Sequence, residues 1–457
     1  MRGKDVVVLG LARSGIAAVE QLLRLGARVV ATDTRPLSEL PASVAALERR
    51  EVTLELGPHR PARFETADLV IVSPGVPWDL EILQRARAAR VPVVGELEFA
   101  FRCASGTVVA VTGTKGKSTT TAVLGDMLRR SGQCADVRVG GNIGTALSAI
   151  VDGATAHTTF VLETSSFQLE GTDTFRPHVA TFLNLEPDHI DRHGSYENYV
   201  QAKARVFANQ TTADWAVVNA DDDAVLKLAS AGRARVFPFS ARPLLGDGAF
   251  FADGAALLRR DGNEETLFAK SAIHVPGAHL ASDLLAAGTV ARLLGVSSEA
   301  VARGVDAFRG SDHVLDLVGV VDGVSYYDDS KATNVVAARR GLEAFDTRVV
   351  AILGGRSKGG DFSGLRAPLA QRGRAVVLIG EAARELESVL GDSLPCVHAT
   401  SLAEAVTQAR GLAQAGDIVL LSPACASFDM FSDYAERGRA FRTAVNELRA
   451  EHPREGH

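Results

Sequence analysis

Several features that would indicate other classes of protein are scarce in this 457-residue sequence. The four cysteines form no Cys-x-x-Cys pair and no zinc-like spacing with histidine, which argues against a disulfide scaffold or a zinc site. No apolar run reaches about 18 residues, and the N-terminus lacks a signal-peptide pattern, so neither a membrane span nor secretion is expected. The formal net charge of −6 leaves no basic surplus for nucleic-acid binding. We therefore expect a cytoplasmic globular protein with reduced thiols.

What is present is a regular alternation of short apolar runs and helical patterns, which is typical of βαβ units and parallel sheets. We predict an α/β protein of three domains: Rossmann-like parallel sheets at residues 1–104 and 310–457, flanking a P-loop NTPase-like domain at residues 105–309. The breaks fall at residues 104–106 and 309–311. Short apolar pieces at residues 240–273 predict a small antiparallel sheet, and residues 451–457 are expected to fray.

The most specific motif is a glycine loop that follows an apolar strand at residues 108–112 and precedes an amphipathic helix. Glycines let backbone N–H groups turn toward phosphate oxygens, and the helix N-terminus adds partial positive charge. The loop departs from the usual GxxxxGK[ST] spacing because position 111 is valine. Strand, loop and helix together still predict nucleotide binding by Gly113, Thr114, Lys115, Gly116, Lys117, Ser118 and Thr119. In this arrangement Lys117 reaches the β/γ-phosphates, and the hydroxyl of Ser118 can bind Mg²⁺.

A second glycine turn, at residues 10–15, follows the first strand, and Asp33 ends the second strand. It is similar to a dinucleotide fingerprint, but Ala12 stands where the central glycine would approach a pyrophosphate. An NAD-dependent dehydrogenase is therefore a weaker alternative, and it leaves the phosphate loop unexplained.

Carboxylates and histidines cluster after two strands of the central region. Glu163 ends an apolar strand at residues 159–162, where Mg²⁺ would need a hard oxygen ligand. The next strand, at residues 179–183, leads into a loop at 184–193 with three carboxylates and two histidines. A solvated loop is the alternative explanation, and spacing alone would make Lys203 a surface lysine.

Taken in order, four segments identify a family resemblance. They are Gly113–Thr119, Glu163-Thr164-Ser165-Ser166-Phe167-Gln168, Asp188-His189-Ile190-Asp191 and Asp329-Ser330-Lys331-Ala332-Thr333-Asn334. Together they resemble the Mur ligases of peptidoglycan precursor synthesis, over nearly the whole chain. The last segment and residues 421–429 are similar to the member that adds D-glutamate.

The resemblance implies a role for each matching position. The UDP-sugar would be bound by Leu11, Ala12, Arg13, Ser14, Asp33, Thr34, Arg35, Ser73, Pro74 and Gly75. Asn142 would lie near the nucleotide base, and Ser118, Glu163, His189 and a carbamylated Lys203 would bind Mg²⁺. D-glutamate would be bound by Lys331, Thr333, Lys358, Ser427, Phe428 and Tyr434. Two lysines for two carboxylates, with hydroxyl donors and an aromatic wall, suit that ligand.

The implied reaction is ATP-dependent addition of D-glutamate to UDP-N-acetylmuramoyl-L-alanine through an acyl phosphate, with Lys117, Lys203 and His189 as catalytic residues. His189 is expected to act as a metal ligand rather than as a base. The partners are then small molecules, and we expect a monomer. A related ligase that uses another amino acid, such as L-glutamate, remains an alternative.

The chain departs from the family pattern at three positions. A Gly-x-His-Asn-x-x-Asn motif has Leu280 and Asp283 in place of its two asparagines, and an expected His-Arg pair has Val314 in place of arginine. The resemblance implies that these positions help to hold the nucleotide. The changes would therefore remove hydrogen bonds to the nucleotide, each worth roughly 0.5–3 kcal/mol. A non-catalytic homologue with an impaired nucleotide site is therefore a further alternative.

Overall fold

In this computed structural model, which describes residues 1–310 and 312–451, three mainly parallel sheets follow one another along the chain. Several inner strands, including Thr107–Thr112, Val179–Phe182 and Val349–Gly354, are mostly apolar and buried, as expected when helices cover both faces of a sheet. The predicted α/β class is confirmed. Of the predicted frayed tail at 451–457, residues 452–457 lie outside the described residues, and so does Ser311 of the predicted break at 309–311.

The first sheet is a five-stranded parallel sheet. Its elements are β1 (Asp5–Leu9), α1 (Arg13–Arg24), β2 (Arg28–Asp33), α2 (Ala42–Leu47), β3 (Thr53–Leu56), α3 (Pro61–Thr66), β4 (Leu69–Val72), α4 (Glu81–Ala88), β5 (Val93–Gly95) and α5 (Glu96–Cys103). The strand order is β3-β2-β1-β4-β5. The order reverses between β1 and β4, so the turns that follow these two strands form a crevice at their carboxyl ends.

The second sheet has nine strands. Its elements are β6 (Thr107–Thr112), α6 (Lys117–Ser131), β7 (Asp136–Gly141), α7 (Leu147–Ile150), β8 (Thr158–Glu163), α8 (Ser166–Glu170), β9 (Val179–Phe182), α9 (Ile190–His193), α10 (Tyr196–Ala204), β10 (Trp215–Asn219), α11 (Asp223–Ser230), β11 (Arg235–Ser240), β12 (Gly248–Ala252), β13 (Ala255–Arg260), β14 (Asn263–Ala269), α12 (Ala278–Leu293) and α13 (Ser298–Ala307). The order is β14-β13-β12-β11-β10-β9-β6-β8-β7. The loops that follow β9, β6 and β8 therefore lie side by side.

One prediction about this sheet is wrong. Strands β12, β13 and β14 are antiparallel, as expected, but they do not form a separate small sheet. β12 pairs in parallel with β11 through Phe239–Ala249 and Ser240–Phe250, which continues the main hydrogen-bond ladder into the antiparallel strands.

The third sheet has six strands. Its elements are β15 (Asp316–Val321), β16 (Val324–Asp328), α14 (Val335–Glu343), β17 (Val349–Gly354), α15 (Arg366–Arg372), β18 (Gly373–Ile379), α16 (Ala383–Leu390), β19 (Cys396–His398), α17 (Leu402–Leu412), β20 (Ile418–Leu421) and α18 (Tyr434–Glu451). The order is β15-β16-β20-β17-β18-β19. The loops that follow the neighbouring strands β16, β20 and β17 thus meet at one edge.

The third sheet is mixed, although the sequence analysis predicted a parallel sheet. β15 pairs antiparallel with β16 because Asp322 and Gly323 make a two-residue turn between them. Both residues have positive φ (47° and 77°), the conformation that suits the twist of a tight hairpin.

The described residues form two compact units, Met1–Ala272 with Ser282–Asp306, and Ile273–Ala281 with the residues from Ala307 onward. The first unit contains the first two sheets, and the second contains the third sheet. The three domain ranges given above therefore remain predictions. No helix in residues 1–310 and 312–451 is both long enough and apolar enough to cross a membrane.

Candidate active site

The loop between β6 and α6 has the backbone of a phosphate-binding turn. Gly113 and Gly116 have φ of 147° and 80°, a region that glycine adopts without strain. A methyl group on Gly116 would lie 2.2 Å from Oδ1 of Asp283, so any side chain there would also have to displace this carboxylate. Lys117 begins α6, and its Nζ donates to the carbonyl oxygen of Thr114 at 2.8 Å. This helix start is suited to anions.

Asn184, which follows β9, holds the loop in shape. Its side-chain oxygen accepts the N–H of Lys115 at 2.8 Å, and its amide nitrogen donates to the carbonyl oxygen of Lys115 at 3.2 Å. The main-chain oxygen of Asn184 accepts the N–H of Thr114 at 3.0 Å. Phosphate contacts by Thr114 and Lys115 would therefore use atoms other than these two N–H groups. Sequence reasoning assigned Asn184 no role, although its position after a strand beside β6 was a usable signal.

Glu163 connects the phosphate loop to two other predicted positions. Its buried carboxylate accepts the hydroxyl of Ser118 at 2.6 Å and the amide of Asn142 at 2.6 Å. The main-chain oxygen of Asn142 in turn accepts a hydrogen bond from Arg13 at 2.8 Å. Four predicted site residues from four segments are thus linked by hydrogen bonds.

Lys203 lies on α10 and is only 2% exposed. Its Nζ donates to the carbonyl oxygen of Gly113 at 2.7 Å. Burial, together with the nearby ammonium of Lys117, lowers the pKa of Lys203 from 10.5 to about 7. Burial also lowers the pKa of Lys117, against the opposing charges of Glu163, Asp188 and Asp283. The spacing-based interpretation of Lys203 as a surface lysine is wrong, because α10 turns this residue toward the phosphate loop.

His189 stands at the start of α9 in a left-handed conformation, with φ of 51°. Its half-exposed ring packs against the ring of Phe167, with 4.9 Å between the ring centroids. Its main-chain N–H donates to the carboxylate of Asp188 at 3.0 Å. Among the described residues, no three His, Cys, Asp or Glu side chains are arranged to hold a metal ion. The Mg²⁺ site therefore stays a prediction, for which the structure brings together Ser118 and Glu163.

A cleft of about 450 Å³ lies at the carboxyl ends of β1, β2 and β4. Of the residues predicted to bind the UDP-sugar, it is lined by Ala12, Asp33, Thr34, Arg35, Ser73 and Gly75. His59 also lines it, with Nδ1 2.9 Å from Oγ1 of Thr32, and was missed in the sequence because it stands alone in a loop.

Asp33 organises the floor of this cleft. Burial by itself would raise the pKa of its carboxyl group, but hydrogen bonds from the guanidinium of Arg35 and the N–H of Leu11 lower the pKa to about 2. Asp33 is thus ionised at neutral pH. Its hydrogen bonds to Leu11 and Arg35 hold the start of the glycine loop and the side chain of Arg35 beside the same cleft.

In the second unit, the six residues predicted to bind D-glutamate lie in or directly after the loops that follow β16, β17 and β20. Arg356 and Ala426 pair through two backbone hydrogen bonds of 2.8 and 3.0 Å, which joins the loop of Lys358 to the loop of Ser427. The N–H of Ala424 donates to the main-chain oxygen of Ala332, which joins the loop of Ser427 to the loop of Lys331. Lys331, Lys358, Phe428 and Tyr434 are exposed, Thr333 is half-buried and Ser427 is buried.

Arg437, on α18, forms hydrogen bonds to two of these loops, those that follow β16 and β20. The residue is 1% exposed, and its guanidinium donates to the hydroxyl of Ser330 at 2.9 Å and to the main-chain oxygens of Ser330 and Cys425 at 2.9 and 3.2 Å. Burial lowers its pKa to about 10, so it remains a cation. Sequence reasoning missed it, because an arginine on a charged helix is usually solvated.

The three departures from the family pattern have distinct surroundings. In the first unit Asp283 is buried, with its carboxylate against Gly116 of the phosphate loop. In the second unit Leu280 is buried and Val314 is half-buried. Next to Val314, His313 forms a buried contact of 2.7 Å with Asp328.

A glycine loop whose serine contacts a strand-end carboxylate, set in a parallel sheet that follows a Rossmann-like sheet, defines a nucleotide-binding protein of the P-loop class. Family models match in the same order: Mur ligase MurD-like N-terminal domain at residues 4–95, Mur ligase middle domain at 111–291, and Mur ligase glutamate ligase domain at 315–425. The chain belongs to the Mur ligase family, which confirms the predicted family and the predicted ligase class. The dehydrogenase alternative has no support.

Two relatives span nearly the whole chain. One is UDP-N-acetylmuramoylalanine–D-glutamate ligase of Acidobacterium capsulatum, 45% identical over 97% of this chain and 96% of that protein. The enzyme of the same name from Geotalea daltonii is 42% identical over 98% of both chains. Among solved structures, MurF ligase of Thermotoga maritima in complex with ADP has a TM-score of 0.59 at 17% identity, covering 98% of this chain and 96% of that one. UDP-N-acetylmuramate-alanine ligase MurC of the same organism has a TM-score of 0.57 at 19% identity, covering 98% and 100%. At these identities the two structures support the fold.

Proposed function

We propose that this chain joins D-glutamate to UDP-N-acetylmuramoyl-L-alanine at the expense of ATP. The two relatives named above carry that activity in their names and match this chain from end to end. The observation that carries the proposal is the contact of Ser118 and Asn142 with Glu163 beside the phosphate loop. It supports the proposal because hydroxyl, amide and carboxylate groups gather beside the loop at which we propose the nucleotide phosphates bind.

In the first step, the L-alanyl carboxylate attacks the γ-phosphorus of ATP, giving an acyl phosphate and ADP. The transferring phosphoryl group carries negative charge, and catalysis consists mainly of positioning and electrostatic stabilisation. Lys117 and the N–H groups at the start of α6 supply positive charge there. In the second step, the neutral amine of D-glutamate attacks the acyl carbon, the nitrogen releases one proton, and phosphate leaves from the tetrahedral intermediate to give the amide.

The residues fit a bound Mg²⁺, since Glu163 and Ser118 present hard oxygen donors 2.6 Å apart. When bound there, Mg²⁺ would neutralise charge on the nucleotide phosphates. His189 is the further ligand that we propose. It starts α9 in a strained left-handed conformation, which is often retained at functional positions.

Lys203 is suited to carbamylation. With a pKa of about 7, a large fraction of its amine is neutral at physiological pH. A neutral amine adds CO₂, forming an N–C bond and releasing one proton, so that a buried cation becomes an anion. We propose that this carbamate is the functional state of Lys203, beside Gly113 of the phosphate loop.

For D-glutamate, we propose that Lys331 and Lys358 pair with the two carboxylates. Both lysines are exposed on loops that hydrogen bonds hold together, and Phe428 and Tyr434 present exposed rings from the third loop and the helix start. Arg437 keeps the loops of Lys331 and Ser427 in register.

A second candidate function, a UDP-sugar-binding protein that uses ATP poorly, has one specific observation in its favour. The carboxylate of Asp283 lies against Gly116, where an anionic nucleotide would approach. Repulsion between this carboxylate and the phosphates opposes nucleotide binding unless a proton or a cation intervenes.

Phosphate release from ATP separates the two candidates. We expect release in the presence of Mg²⁺ only when UDP-N-acetylmuramoyl-L-alanine and D-glutamate are both supplied, with L-glutamate much less effective and Lys117→Ala protein inactive. Binding of the UDP-sugar without any turnover at millimolar ATP would refute the ligase proposal and favour the binding protein.

A further inference from the structure

A second cavity, of about 630 Å³, lies on the first unit between α4 and α10, away from the phosphate loop. Asn198, Gln201 and Ala202 line it from α10, while Lys203 of the same helix reaches the carbonyl oxygen of Gly113. The cavity is thus on a different face of α10 from the candidate active site. Its volume falls within the range of small-molecule sites, roughly 300–1,000 Å³.

The walls of this cavity are rich in guanidinium groups. Arg87 comes from α4, Arg192 from α9 and Arg205 from the turn after α10. Arg192 pairs with Glu170 at 3.0 Å, so these two charges largely compensate each other.

Arg87 and Arg205 have no such partner. Among residues 1–310 and 312–451, neither guanidinium forms an ion pair of 4 Å or less, although the Glu170 carboxylate is near enough to attract both. Arg205 donates to the main-chain oxygens of Leu169 and Thr172. Arg87 donates only to the main-chain oxygen of Trp78, over whose ring it lies at 4.9 Å. Two carboxylates, Asp79 and Glu170, also line the cavity, so the three arginines leave an excess of one positive charge, with free donor capacity on Arg87.

We propose that this cavity is a binding site for a small molecule that carries a carboxylate or phosphate group. Arginine presents several N–H donors in a fixed plane that matches the geometry of both oxyanions. The amide of Gln201 adds a neutral donor to the same space, while those of Gln84 and Asn198 each already donate one hydrogen bond to a main-chain oxygen. Trp78 offers a flat wall for the rest of the ligand. This proposal does not depend on the ligase activity.

The sequence supplies a local probe for the test. It contains two tryptophans, Trp78 and Trp215, so a Trp215→Phe protein reports fluorescence from the cavity wall alone. Citrate and inorganic phosphate are titrated separately, which distinguishes a carboxylate ligand from a phosphate ligand. We expect a saturable change with at least one of them.

Matched variants in the same background decide where the anion binds. Arg87→Gln should weaken the affinity roughly tenfold or more, the typical effect of losing a charged hydrogen bond. Arg85→Gln is the control, since Arg85 lies on the same helix but is paired with Glu65 at 2.7 Å, and its affinity should stay within about twofold. Gln201→Glu, an exposed change that adds a negative charge to the wall, should also weaken binding if Arg87→Gln proves unstable.

Affinities are taken from the midpoint of each titration, because replacing Arg87 alters the emission of Trp78 directly. The absence of a saturable change with both anions would overturn the proposal. Equal midpoints for the Arg87→Gln and Arg85→Gln proteins, or an unchanged midpoint for Gln201→Glu, would also overturn it.

Discussion

The side-chain nitrogen of Lys203 donates a 2.7 Å hydrogen bond to the main-chain oxygen of Gly113, the first glycine of the phosphate loop. A buried ammonium is destabilised by the loss of water, and the nearby Lys117 adds repulsion, so the pKa of Lys203 falls to about 7. The hydrogen bond thus supports the loop, while burial and the charge of Lys117 leave this lysine in the partly neutral state that carbamylation requires.

The first prediction concerns CO₂. Protein dialysed against CO₂-free buffer should lose most of its ligase activity and regain it when bicarbonate is added. The neutral fraction of Lys203 rises as the pH passes upward through about 7, so recovery should be faster at pH 8 than at pH 6. Activity assays after timed addition of bicarbonate measure this. Lys203→Met should be inactive and unresponsive, and Lys227→Met, at an exposed lysine, should behave as wild type. Activity that is indifferent to CO₂ would contradict the carbamate.

The second prediction concerns Glu163. Glu163→Gln removes the negative charge but keeps a side chain of the same size beside Ser118 and Asn142. We expect turnover to fall by roughly a hundredfold or more, because charge at the phosphoryl site is a main source of rate enhancement. Steady-state kinetics over a Mg²⁺ titration measure this. Glu197→Gln, an exposed change on α10, should leave turnover unchanged. Full activity in Glu163→Gln would remove Glu163 from the proposed site.

The third prediction concerns Asp283, whose carboxylate lies against Gly116. Asp283→Asn should tighten ATP binding by roughly fivefold, or about 1 kcal/mol, because it removes an anion next to the phosphate loop. Calorimetric titration with ATP and Mg²⁺ measures the affinity. Asp126→Asn is the control, since Asp126 is on the same helix as Lys117 but pairs with Arg130. Weaker ATP binding in Asp283→Asn would instead show that the carboxylate assists the nucleotide.

The fourth prediction concerns Arg437. Arg437→Met removes the hydrogen bonds to Ser330 and Cys425, so the loops that carry the proposed D-glutamate residues lose their support. We expect the KM for D-glutamate to rise roughly tenfold or more, with a much smaller change in the KM for ATP. Arg439→Met, at an exposed position two residues away, should change neither. Equal increases in both constants would point to general destabilisation.

The fifth prediction concerns pH and Asp329. Burial raises the pKa of this carboxyl group to about 7, against hydrogen bonds from Ser422 and the N–H of Leu315. Between about pH 4 and pH 7 the folded protein therefore holds a proton that the unfolded chain releases, so the contribution of Asp329 to stability is lost as pH rises. The melting temperature of wild type should fall relative to Asp329→Asn over this range. Scanning calorimetry at several pH values measures the difference, and parallel curves would contradict the raised pKa.

The sequence predicted the framework well because its signals are local. Strands β1, β4 and β20 and helix α1 follow from apolar runs and periodicity that need no distant contact. The prediction from sequence failed where the choice of pairing partner decides which sheet a strand belongs to. The example is the ladder between β11 and β12, which joins the antiparallel strands to the central sheet. The turn at Asp322 and Gly323 was a readable hairpin signal that was not used.

By itself, the sequence determined the glycine loop, the strand-end carboxylate and the order of motifs that relate this chain to the Mur ligases, because adjacent residues encode each of them. Only the tertiary structure decided that Glu163 holds both Ser118 and Asn142, that Lys203 is buried against Gly113, and that Arg437 supports two loops more than 90 residues apart along the chain. Burial and long-range hydrogen bonds set the charge state and position of such groups, and both arise only when the strands take their places in the sheet.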